Sequence, residues 1–251
     1  MSESNKRNFI VHGSILAIAG ILVRIIGMLY RIPVVNIIGS EGNGIYGAAF
    51  NIYNIMLVLS SYGLPMAVSK LVSARFTKKR YKSAAKVLRC SLMVAVCTGG
   101  IAALLVFFGA SFIENVIYGG GLPGLAVPLR ILAPTIFLVA ILGVIRGFFQ
   151  GQSTMIPTAV SQILEQIVNA IVSIAAGYGM MKAFASSPDV AAYGAAGSTL
   201  GTAMGALTAV LFMGFLYAVY TPTFNRLKRK DRHTENQSTG QICKIIIYTM
   251  I

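Results

Sequence analysis

Acidic residues are scarce in this chain. Asp and Glu together number 7 in 251 residues, and tryptophan is absent. Charged residues of both signs make up 11% of the sequence, whereas a soluble domain carries roughly 25%. So few carboxylates argue against a carboxylate-held catalytic metal or a paired general acid and base. The three cysteines, Cys90, Cys97 and Cys243, show no CxxC spacing and make no disulfide framework, which argues against a structural zinc site. The two histidines, His12 and His233, are isolated from one another. Disorder is excluded as well, because it needs low hydrophobicity and dense charge. Here 56% of residues are hydrophobic and mean hydropathy is +0.74.

Long apolar runs fill the space that charge leaves empty. A spanning helix needs ~20 mostly apolar residues. Six stretches qualify, at 9–38, 45–67, 87–108, 125–149, 156–181 and 191–220. The first is long and contains Pro33, which predicts tilt or a kink. It also holds Arg24 and Arg31, which a signal-peptide core would not. The expected fold class is therefore an all-α integral membrane protein with six transmembrane helices.

The net charge of +14 becomes interpretable once it is placed on these spans. Lys6 and Arg7 precede the first. A dense basic run from Lys70 to Arg89 joins the second to the third, Arg146 ends the fourth, and Arg226 to Lys244 follow the sixth. The alternate loops hold Glu41, Glu114 and Asp189, with Arg130 and Lys182 as their only cations. The positive-inside rule then predicts a multi-pass protein of the cytoplasmic membrane with a cytoplasmic N-terminus. The basic charge reads as a topology signal, and no nucleic-acid partner is expected. Anionic lipid would be attracted to the stretch 75–86.

Three segments are expected along the chain: a six-helix transmembrane lobe over 1–225, a basic cytoplasmic linker over 226–241, and the start of a truncated seventh helix over 242–251. The last is apolar, yet its ten residues at ~1.5 Å each cannot cross a ~30 Å core.

Polar residues inside the spans mark the candidate site. An intramembrane arginine costs ~2.5–3.5 kcal/mol on insertion scales and is a functional candidate by default. Gly13, Gly20, Arg24, Gly27 and Arg31 fall within an arc of roughly 60° at ~100° per residue, which points both guanidiniums into the bundle or a wet cavity; the alternative is snorkelling to the outer interface, above all for Arg31. The fifth span carries a second stripe, Thr158, Gln162, Gln166, Asn169 and Ser173, with Glu165 at its edge. Glu165 is read as a partner for Arg24, a coupling-cation ligand, a protonated acid, or a hydrated boundary residue. The second span adds Asn51 and Asn54, then a bend at Pro65. Gly197, Gly201 and Gly205 form a small-residue face for tight helix packing. Gly42-Asn43-Gly44 and Gly119-Gly120-Gly121 are read as external turns without the flanking strand and lysine of a phosphate loop.

Several of these runs resemble a known family. They are Arg24-Ile25-Ile26-Gly27-Met28-Leu29-Tyr30-Arg31, Gly39-Ser40-Glu41-Gly42-Asn43-Gly44-Ile45-Tyr46-Gly47, Gly63-Leu64-Pro65-Met66-Ala67-Val68-Ser69-Lys70, and Arg146-Gly147-Phe148-Phe149-Gln150-Gly151 with Pro157-Thr158-Ala159 and Gln162-Ile163-Leu164-Glu165-Gln166. Together they resemble the polysaccharide-biosynthesis, lipid-linked oligosaccharide flippases of the MOP exporter superfamily, of the stage V sporulation protein B type and related to the lipid II flippases. The resemblance implies about fourteen helices, with this chain as the N-terminal lobe of a MATE/MurJ-like transporter and a missing C-terminal lobe as its partner. It also implies alternating access and cavity arginines at Arg24 and Arg31. The lipid II branch has a further arginine on the second helix, where this sequence reads Asn51-Ile52-Tyr53-Asn54. That departure weakens the inference to lipid II itself.

The chemistry of such a substrate agrees with the residues. A pyrophosphate-linked glycan needs fixed positive charge and amide donors in a hydrated cavity. Arg24 and Arg31 supply the first; Asn51, Asn54, Gln162, Gln166 and Asn169 supply the second, with Glu165 among them. No covalent step and no cofactor are expected, and the coupling to sodium, protons or membrane potential stays open. Two other readings compete: a cation-coupled multidrug exporter of the same superfamily, which favours acidic cavity residues, and a membrane-embedded polyprenyl-phosphate glycosyltransferase, which wants loop carboxylates.

Overall fold

In the computed structural model, residues 3–232 and 239–250 are described, with side-chain environments from residue 14 onward. The linker residues 233–238, Ile251, and the surroundings of Lys6, Arg7, His12 and Gly13 lie outside the described residues. The described regular elements are all helices: α1 (Glu3–Ser61), α2 (Leu64–Thr77), α3 (Tyr81–Phe112) continuing into a π-helical turn (Ile113–Ile117), α4 (Ala126–Gly151), α5 (Ile156–Ala183), α6 (Val190–Lys230) and α7 (Thr239–Met250). No strand occurs among the described residues.

Five apolar stretches long enough to cross a membrane lie among these residues, the first running from Ser14 to Thr77. That first stretch accounts for two of the six expected spans. Its backbone is non-helical at Gly39, with φ 71° and ψ −177°. This left-handed region is open to glycine at little cost. A straight helix would hold Arg24 and Asn54 about 45 Å apart, yet both line one pocket. The chain therefore folds back at Gly39 into two antiparallel arms.

The break corrects two expectations. Pro33 lies within α1, and the non-helical break comes six residues later at Gly39. Gly42-Asn43-Gly44 is helix rather than turn. A Cβ at Gly42 would come within 3.2 Å of the Ala191 carbonyl, so this glycine lets the second arm approach α6. At Pro65 the expected bend takes the form of a break between two helices. The second arm stops at Ser61 and Pro65 stands in the first turn of α2, where its missing N–H costs no helical hydrogen bond. The Gly119-Gly120 turn is present, with φ values of 58° and 71°.

Small residues set the helix seams. A Cβ on Gly197 would collide with the Ala176 carbonyl, one on Gly201 with Ser173 Oγ, and one on Gly205 would lie 2.6 Å from the Glu165 carbonyl oxygen. The α5–α6 seam is thus as tight as the glycine spacing predicts. A second glycine series, Gly143, Gly147 and Gly151 on α4, receives Pro65, Val68 and Val72 of α2.

Two apolar clusters fill the lobe. One, near the Gly39 fold, includes Val34, Ile38, Ile45, Leu129, Leu132 and Ile136. The other, at the opposite end, includes Leu64, Leu88, Phe148, Met213, Phe224 and Ile242. Phe148 is fully buried there and meets Phe76, Tyr217, Tyr220 and Phe224 edge to face. These rings pin the end of α6, so residues 226–230 continue that helix instead of starting the expected linker. The 12-residue α7 packs against α2 and α3, with Ile242 and Ile246 buried. Outward faces stay apolar, as at Leu59, Phe108, Phe215 and Val219, which suits contact with acyl chains rather than water.

Candidate functional site: an arginine pocket between the arms of the first helix

Folding α1 back on itself brings four sequence-predicted residues together. Arg24 and Arg31 on the first arm and Asn51 and Asn54 on the second line one open pocket of about 670 Å³. Gly27, Tyr30, Tyr46 and Phe50 complete most of its wall. The spacing explains the convergence: Arg24 precedes Gly39 by as many residues as Asn54 follows it. At ~1.5 Å per residue, Arg31 lies about 12 Å and Arg24 about 22 Å from the fold.

The pocket is electropositive. No carboxylate lines it, and among the described residues neither arginine pairs with an acid. The Arg31 guanidinium stands 5.9 Å from the centroid of the Tyr46 ring, within cation–π range. Arg24, Arg31, Asn51 and Asn54 are all exposed. Their donors thus face open space rather than the interior of the lobe. Guanidinium forks and amides offer bidentate and neutral donors for an oxyanion.

Tyr30 ties this pocket to the helices behind it. Its hydroxyl accepts a hydrogen bond from Asn169 Nδ2 at 3.3 Å. The Asn169 side-chain Oδ1 accepts from Ser173 Oγ at 2.9 Å and Thr202 Oγ1 at 3.4 Å. Gln166 packs on the bare face of Gly27, where a Cβ would meet its Nε2 at 3.2 Å. Asn169 is therefore buried framework behind the pocket rather than part of its wall.

Glu165 has a different partner from Arg24. Arg146 Nη2 donates to Glu165 Oε2 at 2.7 Å, and Arg146 Nε donates to Ser161 Oγ at 2.9 Å. Gln162, Glu165, Gln166 and Asn169 do not line the pocket. The second stripe is thus split between a seam with α1 and an ion pair with α4. In the sequence Arg146 merely ends the fourth span. The α4–α5 hairpin turns at residues 152–155, which places Arg146 level with Ser161 across the turn. That symmetry is the signal the sequence offers for the pair.

The fold is that of a MATE-type transporter lobe. A MATE protein solved in complex with MaD3S superposes with a TM-score of 0.71 at 15% identity, covering 94% of this chain and 52% of that one. A MOP superfamily transporter from Pyrococcus furiosus gives 0.66 at 17% identity, covering 94% and 51%. The model of the polysaccharide biosynthesis protein family matches residues 10–240, and the chain belongs to that family. Lipid II flippase MurJ of Bacillus subtilis (strain 168) is 34% identical over 176 residues, 68% of this chain and 32% of that protein. Stage V sporulation protein B of the same organism is 30% identical over 210 residues, 83% and 39% respectively. The chain thus spans less than half the length of these relatives. It is a multi-pass membrane protein of that family.

Proposed function

We propose that this chain forms the N-terminal lobe of a flippase that moves lipid-linked oligosaccharide or peptidoglycan precursors across the cytoplasmic membrane by alternating access. In this reading Arg24 and Arg31 hold the pyrophosphate, and Asn51 and Asn54 donate to phosphate or sugar oxygens. Gln166 steadies the arginine arm at Gly27. The lipid tail stays in the bilayer. The N-terminus is cytoplasmic, and a facing C-terminal lobe closes the open side of the pocket.

The observation that carries the reading is the convergence of two arginines and two asparagines, without an acid, on one open pocket. A cation-binding multidrug site calls for the opposite sign. The single acid on the second polar stripe, Glu165, is paired with Arg146, which removes the residue that reading needs most. A single lobe also superposes equally well on inward- and outward-facing MATE structures, at TM-scores of 0.68 and 0.69. That supports rigid-lobe motion of the kind alternating access uses.

Binding is the readout suited to one lobe. The purified chain in nanodiscs is expected to bind a polyprenyl-pyrophosphate-linked oligosaccharide in preference to the matching polyprenol. Equal binding of the two would refute recognition of the pyrophosphate. Preference for a lipophilic cation over both would establish the multidrug reading instead.

A further inference from the structure

A second cationic cleft lies far along the chain from the arginine pocket, where α3 begins and α6 ends. It measures about 530 Å³ and is lined by Lys82, Asn225, Lys228 and Arg229. Among the described residues no carboxylate pairs with these three cations. The nearby acid, Asp231, is 5% exposed. Its Oδ2 accepts the Lys82 backbone N–H at 2.9 Å, so it caps α3 rather than lining the cleft. Lys228 is held in place, with Nζ 5.2 Å from the centroid of the buried Phe224 ring.

Helix electrostatics explain part of this arrangement. Lys228 and Arg229 stand in the last turn of α6, where positive charge is favourable. Lys82 stands in the first turn of α3, where it is unfavourable. Placing it against two further cations adds repulsion that an entering anion relieves.

The surroundings show what kind of anion fits. Along α6 the exposed residues Leu211, Phe215 and Val219 follow at steps of four, and the exposed Asn225 and Arg229 lie 14 and 18 residues beyond Leu211, within about 40° of its direction round the helix. Along α3 the exposed Met93 leads through Arg89 towards Lys82. Each helix face therefore changes from apolar to cationic at the cleft. A ligand with an anionic head and acyl tails matches that change; a free anion uses only the charged end.

We propose that this cleft binds the phosphodiester headgroup of an anionic phospholipid, with its acyl chains along the α3 and α6 faces. Lys82 and Arg229 contact the phosphate oxygens, and Asn225 donates to the glycerol or headgroup oxygens. The site is separate from the arginine pocket, and it depends only on the chain spanning a bilayer.

The test is native mass spectrometry of the purified chain titrated with dioleoylphosphatidylglycerol, with dioleoylphosphatidylcholine as the zwitterionic arm and inorganic phosphate as competitor. The triple variant Lys82→Gln, Lys228→Gln, Arg229→Gln is compared with Lys70→Gln, Lys182→Gln, Lys244→Gln, which removes equal charge from exposed positions outside the cleft and outside the stretch 75–86. The cleft variant is expected to weaken phosphatidylglycerol binding roughly 100-fold, at about fivefold per cation. The control is expected to stay within about threefold of the parent, as for charges outside the contact. Arg229→Glu, at an exposed position, tests the same site without touching the Phe224 contact and is expected to lose at least about tenfold. Equal loss in both triples, no loss in the cleft variants, or equal binding of phosphatidylcholine would overturn the proposal. Displacement by inorganic phosphate at the lipid's own concentration would make this a free-anion site and overturn the lipid assignment.

Discussion

Arg146 of α4 and Glu165 of α5 face each other across the α4–α5 hairpin at 2.7 Å, with side chains 14% and 26% exposed. The acid that the sequence offers to Arg24 is therefore held by an arginine of α4. Arg24 is left without that counter-charge, and so its charge is available to a ligand.

The pair is expected to stabilise α4 against α5. Removing one partner strands a partly buried charge. Arg146→Ala should cost about 1–3 kcal/mol, below the ~3–5 kcal/mol of a fully buried pair because both side chains keep some solvent. The double variant Arg146→Met, Glu165→Leu should recover much of that loss. Thermal unfolding of the parent, Arg146→Met, Glu165→Leu and the double variant in detergent gives the coupling directly. A coupling near zero would show that the contact contributes nothing to stability.

Two glycines in different surroundings set opposite outcomes. Gly201→Ala drives a methyl into Ser173 Oγ and the Asn169 carbonyl. Overpacking of this kind costs about 1–3 kcal/mol. Gly20→Ala meets nothing within 4 Å and should be neutral or stabilise α1 by up to ~1 kcal/mol through helix propensity. Similar melting shifts for the two variants would contradict the α5–α6 seam.

The fold is legible in the sequence where it depends on apolar length and glycine spacing. Six spans and the Gly197-Gly201-Gly205 seam both follow from one-dimensional periodicity. The fold between the two arms of α1 is read a few residues late, at Gly42-Asn43-Gly44, because Gly39, Gly42 and Gly44 look alike in sequence. Only backbone φ distinguishes a turning glycine from a packing one. The candidate site is half legible. Arg24, Arg31, Asn51 and Asn54 share a pocket because their distances from Gly39 match. The fate of Glu165 is hidden, since pairing across a hairpin depends on rotation of both helices. Asn169 likewise reads as a donor in sequence, but Tyr30, Ser173 and Thr202 occupy it.

The docking of α7 has a native probe. Cys90 Sγ of α3 donates to the Thr239 carbonyl of α7 at 3.8 Å, and Cys243 stands one turn further along α7. Mild oxidation is expected to join Cys90 to Cys243. Proteolysis between them, followed by gels with and without reductant, should show two fragments held together only before reduction. A Cys97→Ser background removes the exposed third thiol. Fragments that separate without reductant would mean that α7 does not rest on α3.

Orientation rests on loop charge, and cysteine labelling measures it. In a background lacking the three native cysteines, positions 79 and 229 are expected to resist a membrane-impermeant maleimide in intact cells. Position 187 is expected to react. Ser187 is a better external reporter than Gly120, whose φ of 71° would strain a cysteine. Labelling at 79 but not at 187 would invert the topology.

The decisive experiment concerns Arg24 and Arg31. If they hold a pyrophosphate, the planar fork matters as well as the charge. Arg24→Ala should still insert, because removing an intramembrane charge makes insertion easier. It should nevertheless lose about 30-fold to several-thousand-fold in affinity for a polyprenyl-pyrophosphate-linked oligosaccharide, the equivalent of ~2–5 kcal/mol for a desolvated charge pair. Arg24→Lys retains the charge without the fork and should recover only part of this. Arg31 should follow the same order with smaller losses, since it lies nearer the fold and can extend towards the interface, and its guanidinium is already shared with Tyr46. Asn51→Ala and Asn54→Ala should shift selectivity between glycans more than affinity for the pyrophosphate. Isothermal binding in nanodiscs reads all of these variants on one scale. Full affinity in Arg24→Ala would remove the pyrophosphate from this pocket and return both arginines to a packing or topology role.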